Sequence, residues 1–335
     1  MPDEISYSRI STWKRCLKKY FYKYVEGLAL KRKPSPPRMG SMVHEGILAK
    51  YKGQDWKEVV KEYWKGEIGN MPQQLISKDD KEELEIVLKV LERYFDHHEY
   101  FRHPDEKDLI EPETKFEVQI PNTDTKLIGY MDKVIEVPGE GIWLVDHKAT
   151  TVDLDRKLEN LELNEQIDYY TWALSKMFTD KKVIGTIWNG ILLKLPTKPK
   201  PIKSGKRLSK RKMKTDYQTY YDAIIENGFD PADYKEQLNR LKNQDNPFFK
   251  TAWIDRDSFE MREIENELIQ VAKGIENTEN YFRDRAMGRC SWDCSFKDLC
   301  LTEKKGGDIK TIIDEYFEYY RAEREEVEED EEKPF

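Results

Sequence analysis

Apolar residues recur along this chain in two distinct rhythms. Between Asp79 and His98, the residues Leu84, Val87, Leu88, Leu91, Tyr94 and Phe95 follow a three-and-four spacing. That is the one-sided stripe of an amphipathic helix. The spacing returns between Asn164 and Met177, where Ile167, Tyr170, Thr171, Leu174 and Met177 fall on one face with Phe178 just beyond. A shorter version runs from Val43 to Tyr51 through Ile47 and Leu48. Elsewhere the rhythm changes. The run from Gly141 to Lys148 is apolar, β-branched and aromatic, and Pro138 and Gly139 punctuate it upstream. It is too short for a helix and predicts a buried central strand. Lys126 to Val137 predicts a second strand interrupted at Gly129, Glu113 to Ile120 alternates, and Val183 to Leu193 predicts a further strand.

Helices and strands in this order predict an α/β fold, a mixed central sheet flanked by helices. At 335 residues the chain sits at the upper edge of one domain. A single domain is expected over 1–322. Its parts are an N-terminal helical part (1–105), a catalytic core (106–193), a basic loop with a helical insertion (194–285) and a cysteine segment with a tail helix (286–322). An acidic, disordered tail is expected at 323–335. There are no internal repeats.

Chemistry enters at the central strands. Successive side chains on a strand point to opposite faces, so Asp146 and Lys148 share a face while His147 points away. An antiparallel pairing through the Pro-Gly turn brings Asp132 close to Asp146. Two adjacent carboxylates on a sheet edge form a hard-oxygen site for Mg²⁺ or Mn²⁺. Such an ion polarises a phosphate oxygen and lowers the pKa of bound water, and Lys148 would stand beside that water. An isolated Asp-x-Lys is common, and its ordinary reading is a surface salt bridge. In the following helix, Gln166 and Tyr170 are four apart and share a face. An amide and a hydroxyl on that face could hold the lysine or a phosphate, and the ordinary reading is an amphipathic helix with a half-buried Tyr.

The four cysteines are Cys16 near the start and Cys290, Cys294 and Cys300 near the end. Four are too few for a stapled secreted scaffold, and the first residues lack a signal-peptide pattern, so disulfides are not expected. Four thiolates suit a zinc site or an iron–sulfur cluster. Either would tie the two ends of the chain together and couple metal loading to folding.

Charge changes the picture in two places. The formal net charge is −8, yet residues 323–333 alone hold eight acidic and two basic side chains, so the rest is nearly neutral. From Lys194 to Lys214 there are ten Lys or Arg in 21 residues and no acidic residue. With its Pro, Gly and Ser this segment predicts a flexible basic loop able to hold phosphates without sequence preference. Charged residues make up 36%, and no apolar run approaches the roughly 18 residues that span a membrane. The expected location is the cytoplasm, with no membrane partner. There is no Walker-type phosphate loop.

These residues, taken together and in this order, resemble the PD-(D/E)xK nuclease superfamily, in particular its RecB-like and Cas4-like branch with a four-cysteine cluster. Ser6 to Cys16 is similar to that branch's opening helix with the first cluster cysteine. Gly40 to His44 is similar to its Gly-x-x-x-His motif, Asp146 and Lys148 to the (D/E)xK pair, and Gln166 and Tyr170 to its Gln-x-x-x-Tyr motif. Cys290, Cys294 and Cys300 match the terminal triplet, here with Cys-x3-Cys-x5-Cys spacing.

The resemblance implies a restriction-endonuclease-like fold whose N- and C-terminal segments meet at a [4Fe–4S] cluster held by Cys16, Cys290, Cys294 and Cys300. It implies a Mg²⁺ or Mn²⁺ site built from His44, Asp132, Asp146 and the backbone carbonyl of His147, with Lys148, Gln166 and Tyr170 completing the machinery. Glu113 and Glu117 both remain candidates for one more carboxylate. The implied function is a metal-dependent DNA exonuclease in recombination, repair or phage DNA processing. The compact form points to a phage-encoded member working in a bacterial host cell. DNA ends are the implied substrate, with a helicase or a single-strand-binding or annealing protein as further partners. A structure-specific flap or branch endonuclease, and a non-catalytic DNA-binding subunit with a structural cluster, are the alternatives.

Overall fold

A computed structural model describes residues 3–32, 34–68, 77–97, 107–285, 290 and 294–319. The acidic tail predicted at 323–335 lies outside the described residues.

The chain opens with strand β1 (Glu4–Ser6) and helix α1 (Tyr7–Arg15), started by the Ser6 hydroxyl, which accepts the Arg9 N–H. After a break at Cys16 come α2 (Leu17–Tyr20), a π-type turn (Phe21–Val25) and β2 (Leu28–Leu30). Three helices follow: α3 (Ser35–Tyr51), α4 (Trp56–Ile68) and α5 (Lys78–His97). The central strands are β3 (Lys107–Ile110), β4 (Thr114–Gln119), β5 (Lys126–Met131), β6 (Lys133–Val137) and β7 (Gly141–Thr150). Helices α6 (Leu154–Leu158) and α7 (Glu165–Met177) lead to β8 (Val183–Leu192). The chain ends through α8 (Tyr217–Glu226), α9 (Lys235–Asn243), β9 (Phe249–Asp255), α10 (Ser258–Glu276), α11 (Lys297–Lys304), α12 (Lys310–Tyr316) and β10 (Phe317–Tyr319).

The predicted mixed sheet is present, five strands in the order β3-β6-β7-β8-β9. Strands β7 and β8 run parallel, joined by a crossover through α6 and α7, and the other neighbours are antiparallel. Strand β7 is buried on both faces, which is why it reads as a continuous apolar run. Its Ile142 and Leu144 join the core beneath α7 and α10, while Trp143 and Val145 pack with Ile135, Val137 and Ile187.

A second, three-stranded sheet has the order β1-β5-β4, and β2 pairs with β10 near the chain ends. The stretch predicted as one strand over 126–137 is therefore two strands in two sheets. The break falls at Asp132, not at Gly129, which sits inside β5 opposite Phe116. Gly129 is glycine for contact reasons: a Cβ there would lie 2.5 Å from the Tyr170 hydroxyl and 2.8 Å from the Phe116 ring. Asp132 alone spans the corner between the sheets, with Lys133 paired to Val145.

Strand β9 and helix α10 belong to this main body. Residues between β8 and β9 instead gather around a small core of their own, formed by Leu208, Tyr220, Ile224, Tyr234, Leu238 and Leu241. No helix among the described residues is long and apolar enough to cross a membrane.

Candidate active site

The alternation along β7 delivers Asp146 and Lys148 to one face, as predicted. The Lys148 Nζ stands 2.5 Å from Asp146 Oδ1, and both side chains are largely buried. The other carboxylate oxygen, Asp146 Oδ2, is buried without a hydrogen-bond partner among the described residues. An orphaned carboxylate oxygen in this setting is costly unless something cationic meets it.

Asp132 reaches the same region from the corner between β5 and β6. Its Oδ2 accepts the His147 backbone N–H at 2.7 Å, and its Oδ1 lies 3.7 Å from His44 Nδ1. His44 is carried in by α3, which also buries Met42, Val43 and Ile47. The His147 side chain points away from the pair and is fully buried, as the strand period requires. It is gripped from both sides, with the Tyr51 hydroxyl 2.9 Å from Nε2 and the Tyr94 hydroxyl 3.1 Å from Nδ1. Tyr51 comes from α3 and Tyr94 from α5, so two helices fix the strand segment whose N–H orients Asp132. Burial pushes the Tyr94 hydroxyl well above the ordinary tyrosine range, which keeps it a neutral hydrogen-bonding group.

The two open glutamates part company. Glu113 lines a narrow crevice together with His44, Tyr51, Asp132 and His147. It takes the left-handed backbone conformation, with φ of 58°, and its N–H donates to the Asp132 carbonyl at 3.1 Å. Glu117 instead faces solvent on β4, 3.0 Å from Lys126 and 3.2 Å from Lys115, and their hydrogen bonds hold its carboxyl below the ordinary range.

A larger cleft of about 560 Å³ opens beside this cluster. Lys148, His44, Gly40 and Gln166 line it, so four predicted positions converge on one cavity. Helix α7 starts where the Asn164 side chain accepts the N–H groups of Gln166 and Ile167. That cap aims the buried Gln166 at the cleft. Tyr170, one turn on, is not part of the cleft lining; its ring packs edge-to-face on Phe116, 5.0 Å between centroids.

The cleft also holds residues that sequence reasoning passed over, notably Tyr7, Arg156, Lys157 and Asn160. Burial raises the Tyr7 hydroxyl's pKa, with Glu165 adding to the effect, and burial lowers that of the Lys157 ammonium. The basic pair Arg156-Lys157 soon after the central strand was the available signal, because a crossover from β7 begins at the cleft mouth.

The chain matches the PD-(D/E)XK nuclease superfamily over residues 4–301. It belongs to that superfamily. Membership makes it a nuclease, a hydrolase of DNA phosphodiester bonds of a kind that works with divalent metal ions. No curated protein matches the chain. Among solved structures, the crystal structure of SSO0001 covers 74% of this chain and 79% of its own, at 12% identity and a TM-score of 0.26. At that score the likeness adds nothing to the family match.

In this PD-(D/E)XK chain three of the four cysteines contact one short segment, Arg283-Asp284, and Cys294 lies near two of them. The Cys16 Sγ, at the break between α1 and α2, accepts the Asp284 N–H at 3.5 Å. The Cys300 Sγ, on α11, accepts the Arg283 Nε–H at 3.2 Å. Cys290 Sγ lies 3.9 Å from the Asp284 carbonyl. Burial raises the Cys294 thiol's pKa, and the neighbouring Cys290 and Cys16 add to it. Sequence positions some 270 residues apart are thus brought to one place. Among the described residues no set of three or more His, Cys, Asp or Glu side chains is gathered into a metal-holding group. The fit to a divalent cation therefore rests on the donor chemistry at Asp132 and His44 and on the orphaned Asp146 oxygen.

Proposed function

We propose that this chain is a metal-dependent DNA exonuclease of the RecB-like and Cas4-like branch, acting in recombination, repair or phage DNA processing in the cytoplasm of a bacterial host. The observation that carries the reading is the buried, unsatisfied Asp146 oxygen beside Lys148 at the wall of a cleft. Asp146, Asp132, His44 and the His147 carbonyl are the residues that would hold Mg²⁺ or Mn²⁺. When bound, the ion would supply charge for a phosphate oxygen and acidify a water. Lys148 keeps a compact positive charge at the reacting position, where negative charge develops during in-line attack. Asp132 is held in place by the His147 N–H, and that N–H by the Tyr51–His147–Tyr94 clamp. Gln166 and Tyr7 face the cleft and would position the phosphate or base, while Tyr170 supports α7 from behind.

Closed circular and end-labelled linear DNA, incubated with Mg²⁺ or Mn²⁺, separate the readings. A ladder from linear DNA with circles left intact supports the exonuclease. Nicked circles would instead make it an endonuclease, such as a flap or branch cutter. Tight binding without cleavage in any divalent metal would leave a non-catalytic DNA-binding subunit.

We assign Cys16, Cys290, Cys294 and Cys300 as ligands of a [4Fe–4S] cluster. The N–H donors from Arg283 and Asp284 suit thiolate sulfurs, since such hydrogen bonds stabilise charge on a cluster. Cys294 and Cys300 pack on the apolar cluster of Tyr22, Leu28, Phe296, Leu299 and Phe317, which unites both ends of the chain. Cys16→Ser is expected to lose iron and solubility together, because ligand binding is coupled to folding. Iron analysis and a thermal melt on anaerobically purified protein check this. A variant without iron that melts and cleaves like the parent would contradict it.

A further inference from the structure

The segment 194–214, predicted as a flexible loop, is a hydrogen-bonded hairpin. Thr197 donates to the Lys214 carbonyl at 2.8 Å, Ser209 to that of Lys200 at 2.9 Å, and Ile202 to that of Arg207 at 2.9 Å. Pro201 and Leu208 form a β-bridge, and Gly205 turns the tip with φ of +68°. The hairpin is also pinned from one side. The buried Leu208 donates its N–H to the Tyr234 hydroxyl at 2.8 Å, and the Tyr220 hydroxyl donates to the Ser209 carbonyl at 3.0 Å. These anchors belong to the small separate core of α8 and α9.

Charge on the hairpin is arranged against its own electrostatics. Lys200, Lys203, Lys206, Arg207, Arg211 and Lys212 are all exposed, and none has an ion-pair partner among the described residues. Elsewhere on the surface Lys57 pairs with Glu92 and Lys181 with Glu136. Holding like charges together on an ordered scaffold raises the energy of the free protein unless a polyanion meets them. The root of the hairpin touches the cleft: Leu193 lines the cavity and donates to the Thr150 carbonyl at 2.8 Å, and Lys214 pairs with Asp153.

We propose that this hairpin is a second DNA site outside the cleft, holding the phosphodiester backbone beyond the cutting point without regard to sequence. The inference rests on the reading of the chain as a DNA nuclease and adds where the rest of the substrate lies. From Thr197 to Lys203 the arm reaches at most about 20 Å. With phosphates about 3.4 Å apart along a strand, that covers roughly six nucleotides from the rim.

The test is fluorescence anisotropy of a labelled 30-nucleotide strand in EDTA, titrated across salt, so that no cleavage is needed. The triple variant Lys203→Ser/Lys206→Ser/Arg207→Ser should bind with a salt slope smaller by about 2 to 3. Its dissociation constant should rise between about tenfold and a hundredfold, while the turnover at saturating DNA stays unchanged. Lys203→Arg/Lys206→Arg should bind like the parent, since only charge is required. An unchanged slope in the triple variant overturns the inference. So does equally tight binding of polyglutamate, which would mark a surface for an acidic protein. If the parent binds through the hairpin but cuts nothing, this site stands and the nuclease reading falls. If the parent cuts and the slope does not move, the reverse holds.

Discussion

Lys148→Ala is expected to lower DNA cleavage by roughly 10²–10³-fold, the usual cost of deleting one preorganised charge at a reacting centre. The same change should weaken the fold in a diagnostic way. Lys148 Nζ is the 2.5 Å partner of Asp146 Oδ1, and the other Asp146 oxygen has no hydrogen-bond partner among the described residues. Removing the ammonium leaves a buried carboxylate without its counter-charge, a loss of about 3–5 kcal/mol for a buried pair. A divalent cation that binds the same carboxylate replaces part of that charge. Melting temperature should therefore drop in EDTA and recover on adding Mn²⁺, more in the variant than in the parent. Lys148→Arg should not restore cleavage, because a planar guanidinium cannot occupy the place of a compact ammonium. An Ala variant that melts like the parent in EDTA and ignores Mn²⁺ would show that no cation meets Asp146.

Arg38→Ala is expected to cost the fold a similar amount, about 3–5 kcal/mol. The Arg38 side chain is only 3% exposed and sits between Asp80 Oδ1 at 2.8 Å and Glu83 Oε2 at 3.1 Å. It ties α3 to α5, and α3 carries Gly40 and His44 to the cleft while α5 carries Tyr94 to His147. Truncation takes the guanidinium from the buried Glu83 and leaves Asp80 to Arg32 and Ser77, so a chemical melt should shift strongly and cleavage should fall with the folded fraction. Replacing all three charges together, as Arg38→Met/Asp80→Leu/Glu83→Leu, should recover much of the loss, since desolvation is then avoided.

The acid side of the stability curve follows from the same cluster. Burial works to raise the Asp80 pKa, but hydrogen bonds from Ser77 and the charge of Arg32 outweigh it and hold the carboxyl below its ordinary 3.8. A depressed carboxylate adds stability that is complete above the unfolded value and is lost as pH falls through the folded one. The link between α3 and α5 should therefore persist down to about pH 4 and fail below it, as read by circular dichroism against pH.

What was legible in the sequence was what depends on local period. The face shared by Asp146 and Lys148 and the turn of His147 to the opposite, buried face follow from strand geometry alone, whereas the helical spacing of Gln166 and Tyr170 did not show that only Gln166 lines the cleft. The approach of Asp132 to Asp146 followed from one hairpin, and the mixed sheet from the order of elements. Contacts set by tertiary packing were not legible. The chain changes sheets at Asp132, although nothing local distinguishes that residue from its neighbours. Glu113 and Glu117 sit in the same alternating stretch, and only the corner at Glu113 brings one of them to the crevice. Tyr51 and Tyr94 looked like ordinary core aromatics on separate helices, yet they close on His147 from two sides. Arg38 lay among prolines and gave no sign of burial. The basic segment carried every compositional mark of a flexible loop, and its order comes from Tyr220 and Tyr234, which follow it in the chain.

The central claim is that His44, Asp132, Asp146 and Lys148 form a metal-dependent cutting site for DNA. End-labelled linear DNA, incubated with the parent and with Asp146→Asn across Mg²⁺ and Mn²⁺ concentrations and in EDTA, tests it most directly. The account predicts labelled fragments from the parent only when divalent metal is present, and none above background from Asp146→Asn. Equal cleavage by Asp146→Asn, or cleavage by the parent in EDTA, would contradict it.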